Sequence, residues 1–220
     1  AELVEQNREL IEKKKEQGFT QLLITPFGVK LEDLVEKYKQ VILDHHQRQK
    51  LLAAKKSTTD SDQQLELDES KPVWMWDGYK NADTEGKLVY HPKEFSSNHQ
   101  GKTKQEILQE QGGWSILLLE DLPNIPRKDK GQTFEKRKQL EAGLTPKEYL
   151  QKIQTDPQYQ DESGLTPEEQ LMYAIQYLEQ TDQVVDDYRG NGSVNYNIDA
   201  YFPSSDDVPD AYWNRGGRQA

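Results

Sequence analysis

The chain has 220 residues and is polar throughout: 33% hydrophobic, 30% charged, with a mean hydropathy of −1.01. Its 39 acidic against 28 basic side chains leave a net charge of −11, which repels phosphate backbones and anionic lipid, so neither nucleic acid nor membrane is expected as a partner. The absence of cysteine excludes disulfides, thiolate metal sites and cysteine nucleophiles.

No apolar run approaches the roughly 18 residues of a membrane span. The first residues, Ala-Glu-Leu-Val-Glu-Gln, lack the basic start and apolar core of a secretory signal, so a soluble chain in the cytoplasm is expected.

Residues 1–56 read as a helical region. Leu3, Asn7, Leu10 and Ile11 form a thin stripe ended by Gly18, and an apolar stretch from Phe19 to Phe27 is broken at Thr25-Pro26. Leu31, Leu34, Val35, Tyr38, Val41, Ile42, His45 and Leu52 then recur at helical spacing. They predict a helix over 30–55, about 40 Å long. Its stripe needs a cover, either the rest of the chain or a second copy, which makes a homo-oligomer through this helix one expectation. Residues 57–72, acidic and with only Leu65 and Leu67 as large apolar groups, read as a linker.

From Val73 the aromatic density rises. Trp74, Trp76 and Tyr79 suggest a strand, Leu88-Val-Tyr90 a short one, and Trp114 to Leu119 a buried central one because it is apolar on both faces. Trp74, Trp76 and Trp114 are assigned to the core on this reading. Between them, Thr103 with Glu106 forms a capping-box pattern that starts a helix over 103–111, which Gly112-Gly113 stops. Two further helix starts share one signature: Leu144-Thr-Pro-Lys-Glu148 and Leu165-Thr-Pro-Glu-Glu169, each with a threonine cap, proline at the first helical position and glutamate at the third. The second helix carries Leu171, Ala174, Ile175 and Leu178 on one side, with Val185 beyond. Residues 190–220 mix Tyr, Trp, Asn, Ser, Gly, Asp and Arg, the chemistry of a recognition loop.

Catalytic patterns are weak. Gly101-Lys102-Thr103 lacks the glycine that a phosphate loop needs at Ser96. His45 and His46 point about 100° apart on a helix and cannot share a metal, while His91 and His99 lie in a loop. The pairs Asp186-Asp187 and Asp206-Asp207 lack calcium-loop spacing and read as solvated acidic surface. No metal and no cofactor is expected.

One family resemblance is specific. Ala200-Tyr-Phe-Pro-Ser-Ser205, Ala211-Tyr-Trp213 and Arg218-Gln-Ala220 resemble the variable region of target proteins of diversity-generating retroelements, as found in phages and in reduced-genome bacteria or archaea. Residues 112–123 are similar to the body of such proteins. Members continue past the Arg-Gln-Ala element into a second variable stretch, whereas this sequence ends at Ala220.

The resemblance implies an α+β chain: a helical N-terminal region, then a C-type-lectin-like mixed α/β domain over 73–220 with helical insertions and a variable segment over 190–220. It implies a framework of Tyr201, Phe202, Pro203, Trp213, Arg218 and Ala220. The exchangeable, ligand-facing positions would be Asp206, Asp207, Asp210, Tyr212, Asn214, Arg215, Gly216 and Gly217. The function implied is non-enzymatic binding of varied ligands, with virion association if the gene is phage-borne. The alternative from the residues is a helical adaptor or phage structural protein assembled through the 31–52 stripe.

Overall fold

The computed structural model describes residue 5 and residues 7–55, 59–122, 124–190 and 192–220. Leu3 of the predicted N-terminal stripe lies outside them. The chain is α+β, with five helices and short two-stranded pairings among the described residues. No described helix is long and apolar enough to cross a membrane.

Helix α1 (Arg8–Glu16) ends as Gly18 turns the chain with φ at 93°, a left-handed backbone suited to glycine. The apolar stretch that follows is a strand, β1 (Phe19–Thr25), inside the region read as helical; Pro26 follows it directly. Its seven residues are too few for a stable helical stripe, and it pairs antiparallel with β3 (Ser115–Glu120), Leu23 opposite Leu117 and Thr25 opposite Ser115.

Helix α2 (Leu31–Gln47) is shorter than its stripe predicts. Gln49 adopts φ 57°, and the Lys50 N–H turns back to the His45 carbonyl, closing the helix in the manner of a Schellman motif. The usual glycine marker is missing, so the stop has no signal in the sequence. Leu52, the last residue of the stripe, instead bridges to Gln64 and Gln183.

The stripe itself is buried, and its cover is the chain's own helix α5 (Pro167–Thr181). Tyr38, Val41 and Ile42 meet Tyr173, Ala174, Ile175 and Leu178 in one core. Leu65 and Leu67 belong to the same core, and the Leu65 N–H bonds to the Leu51 carbonyl. The described part of 57–72 is therefore packed structure and not a spacer, because its two leucines fill space beside α2.

The three capped starts form as read. Thr103, Thr145 and Thr166 each accept from the glutamate N–H three residues on, at α3 (Lys104–Gln111), α4 (Pro146–Thr155) and α5. Strand β2 (Val89–Tyr90) pairs with β8 (Ala200–Tyr201), building a second core of Phe27, Leu88, Tyr90, Ile107, Ala200 and Phe202. Residues 74–76 are not a strand; the chain there leads into a short 3-10 turn, Asp77–Tyr79.

β3 is also not the buried central strand expected. It pairs with β1 alone among the described residues, and all its residues are half-buried. One face, with Leu117 and Leu119, packs on the core, while the other carries the opposed pairs Leu22–Leu118 and Ile24–Ile116 with Leu22 and Ile24 exposed.

Charge fills what the sparse hydrophobic content leaves. Lys104 Nζ, on a side chain 4% exposed, bonds to Asp83 Oδ2 at 2.8 Å, Glu168 Oε1 at 3.0 Å and the Val29 carbonyl at 2.6 Å. The Tyr90 hydroxyl donates to Glu168, and Asp83 accepts from the Leu31 N–H at the start of α2. Burial raises the Glu168 pKa, and the Lys104 charge opposes that rise. Replacing Lys104 by alanine strands two buried carboxylates, so Lys104→Ala should destabilise the fold by about 3–5 kcal/mol. Urea denaturation followed by circular dichroism measures this, and a loss under about 1 kcal/mol would show that Lys104 is peripheral to the fold.

Candidate functional site

The last thirty residues fold back over α5 as short pairings. β7 (Asn195–Tyr196) pairs antiparallel with β9 (Asp210–Ala211), and β10 (Trp213–Asn214) runs parallel to β6 (Asp187–Tyr188). Between them the Phe202–Asp207 bridge closes a tight turn, with Asp206 at φ 58° accepting from the Tyr201 hydroxyl. The C-terminal end then closes on 68–74: Asp68 N–H bonds to the Arg218 carbonyl, Trp74 N–H to the Ala220 carbonyl, and Ala220 N–H to the Pro72 carbonyl.

This closure forms a groove of about 910 Å³. Trp74, Trp76 and Tyr79 line it together with Asp206, Asp207, Asp210 and Tyr212. Trp76 and Tyr79 are held edge-on against buried Phe202, at 5.4 and 5.1 Å between ring centroids. Deeper lining comes from Trp213, Asn197, Gln170 and Asp186. Two buried polar atoms of these residues lack partners in the described structure: Trp213 Nε1, a donor, and Asn197 Oδ1, an acceptor.

Three tryptophan assignments are overturned. Trp74, Trp76 and Trp114 are 51%, 39% and 62% exposed, whereas Trp213 is 1% exposed. Trp213 is buried because the parallel pairing with β6 carries it into the α2–α5 core. Trp74 and Trp76 stay out because their segment pairs through its backbone with the chain terminus and turns before it can cross the core.

Of the eight positions expected to face a ligand, Asp206, Asp207, Asp210, Tyr212 and Asn214 line the groove. Arg215, Gly216 and Gly217 do not. Arg215 is clamped to Asp187, Nε to Oδ1 at 2.7 Å and Nη2 to Oδ2 at 2.6 Å, and the two glycines make the turn between Asn214 and Gln219. Asn214 itself is half-committed, since its Oδ1 accepts from the Gly217 N–H at 3.0 Å. Of the framework set, Tyr201, Phe202 and Trp213 are buried, while Pro203 and Arg218 are exposed. Arg218 contributes through its carbonyl, not its side chain.

Asp186-Asp187 is the second correction: both are buried, not solvated. Asp187 is neutralised by Arg215, and Gly190 closes over that pair so tightly that a Cβ there would lie 2.3 Å from Asp187 Oδ2. Asp186 sits at φ 56° and receives one side-chain donor, Gln170 Nε2 at 2.7 Å, while its carbonyl holds the Trp213 N–H at 2.9 Å. Burial raises the Asp186 carboxyl well above the usual range, and Asp210 is raised by burial and then by the charge of Asp207. Among the described residues no group of three His, Asp or Glu could hold a metal ion.

No protein-family model, curated protein or solved structure matches this chain. What the groove can do follows from its side chains: stacking and cation–π contact on the aromatic wall, and hydrogen-bond acceptance and negative charge along the aspartates.

Three outcomes are expected. Arg215→Ala leaves Asp187 buried without its partner and should cost about 3 kcal/mol, whereas Asp207→Asn on the exposed rim should stay within about 0.5 kcal/mol; paired denaturation curves separate them. Because the folded Asp186 pKa is raised, its contribution is fully present below the unfolded value of about 3.9 and is lost as pH rises through the folded value. Asp186→Asn should therefore be more stable than the parent at pH 8, with the gap closing toward pH 4. A gap that does not change with pH across that range would show that the carboxyl titrates normally.

Proposed function

We propose that this chain is a non-enzymatic ligand-binding protein of the diversified, lectin-like display type, whose C-terminal segment presents exchangeable side chains along the groove. One observation carries the reading. Buried Tyr201 and Phe202 on one side and buried Trp213 on the other bracket Asp206, Asp207, Asp210 and Tyr212, which line a single groove, so anchored positions enclose free ones over a short length of chain. A scaffold that holds its rings inside while leaving its polar side chains at a cleft tolerates change at those positions without loss of fold. In this reading the pairings β6–β10 and β7–β9 are the platform, as the sheet of a C-type-lectin-like domain is for its variable segment. Arg215, Gly216 and Gly217 move from the exchangeable set to the supporting one.

Binding without turnover suits the lining. The closest His–Asp contact among the described residues, His91 Nδ1 to Asp199 Oδ2 at 2.8 Å, lies outside the groove. The helical-adaptor alternative, assembly through the 31–52 stripe, is weakened because Tyr38, Val41 and Ile42 of that stripe already pack against α5.

Sequencing sibling gene copies tests the proposal. Differences should concentrate at 206, 207, 210 and 212 while Arg215 and Trp213 stay constant, with a reverse transcriptase and a near-identical template repeat beside the gene. Divergence spread evenly along the chain would overturn it.

A further inference from the structure

We propose that the open edge of β3 takes an extended acidic peptide, which adds to the β1–β3 pair as a third strand through the backbone of Ile116 and Leu118 and sets its carboxylates against Arg127 and Arg189. The site is a second cleft, of about 1450 Å³, and it is independent of what the groove binds.

Backbone pairing is the first argument. The Leu22 carbonyl accepts from Gln176 Nε2 at 3.2 Å, so it points away from β3. In an antiparallel pair such outward positions recur at every second residue and lie opposite each other. Leu22–Leu118 and Ile24–Ile116 are therefore the pairs without mutual bonds, and Ile116 and Leu118 turn their N–H and C=O groups to the free side of β3. No hydrogen bond reaches those groups from any other segment among the described residues. The free side borders the cleft. Residues 114–120 all line it, and consecutive residues, whose side chains alternate between faces, do so together only where a strand is met edge-on. An unpaired edge of this kind is a template for an incoming strand.

Surface chemistry is the second. Leu22, Trp114, Leu122, Ile125, Tyr188 and Tyr196 are six of the ten large hydrophobic side chains exposed among the described residues, and all six line this cleft. Such a concentration marks an interaction site. The volume exceeds the range usual for small-molecule sites, about 300–1,000 Å³, as a peptide requires. Charge decides the kind of peptide. Every carboxylate of the lining is already engaged: Glu120 and Glu162 with Arg137, Asp199 with His91, Glu110 with Lys102, Asp161 with Lys13, Glu169 with the Ser115 hydroxyl and Asp186 with Gln170. Arg127 and Arg189, both exposed, are the cations of the lining with no ion-pair partner among the described residues, in a chain of net charge −11. A second copy docked through the same edge would bring two more arginines to the cleft, whereas an acidic peptide neutralises the two present.

The test adds the peptide Asp-Glu-Val-Ile-Val-Glu-Asp, capped at both ends, to the full isotope-labelled chain and follows amide hydrogen exchange and calorimetry. In the free chain the Leu117 and Leu119 amides should exchange slowly and those of Ile116 and Leu118 fast. The peptide should slow Ile116 and Leu118 by at least about tenfold. The same peptide with lysine at its acidic positions should bind at least about tenfold more weakly, and Arg127→Gln and Arg189→Gln should each weaken the acidic peptide several-fold with the circular dichroism spectrum unchanged. Binding that leaves exchange at Ile116 and Leu118 unaltered overturns the added strand, and equal binding of the two peptides overturns the charge match. Absence of binding at about 1 mM acidic peptide overturns the whole proposal. Protection of Ile116 and Leu118 that rises with protein concentration in the absence of peptide, with a dimer mass by light scattering, gives the edge to a second copy and overturns the peptide.

Discussion

A lysine with almost no access to water sits at the junction of four segments, and the arrangement of the groove traces back to it. Lys104 joins α3 to Asp83, to Glu168 in the first turn of α5 and to the backbone just before α2. Such a cluster adds little stability relative to well-packed hydrophobic side chains, but it is directional: each bond has one satisfactory geometry, and a misplaced helix would leave a charge buried alone. A chain with only 33% hydrophobic residues cannot define its interior by apolar packing alone. Arg137 repeats the device, held between Glu162 and Glu120 with Lys14 on the same glutamate.

The consequence reaches the groove through α5. Glu168 fixes the first turn of that helix, Gln170 in the same turn holds the Asp186 carboxyl, and the Asp186 carbonyl holds Trp213. The deep part of the groove is thus tied to the buried ion cluster by consecutive hydrogen bonds. Its rim is freer, because Asp207 and Asp210 are exposed and have no ion-pair partner among the described residues.

Legibility in the sequence followed locality. The three helix starts at Thr103, Thr145 and Thr166 were readable because a capping box is complete within four residues and needs nothing from the rest of the fold. The α2 stripe was readable for the same reason, though its end was not, since a glutamine at Gln49 adopts the left-handed turn that glycine usually announces. The aspartates that line the groove fall within a short motif, whereas Trp74, Trp76 and Asn197 carry no signal for their place there. Alternating tryptophans suit a buried strand and an exposed wall equally well, and Asn197 has no pattern around it.

By itself, then, the sequence determined where helices begin, which face of α2 is apolar, which rings of 200–213 could serve as anchors, and that the net charge favours cations over phosphates. Tertiary structure alone decided which tryptophan is buried, which aspartates are neutralised, and that residues 68–79 meet 206–220 to make one groove. The reason is physical: caps and periodicity are set by neighbours within one or two turns, while burial, ion pairing and clefts depend on which distant segment arrives opposite. Arg215 illustrates it, an ordinary loop arginine in sequence that becomes a structural clamp only because Asp187 lies buried beside it.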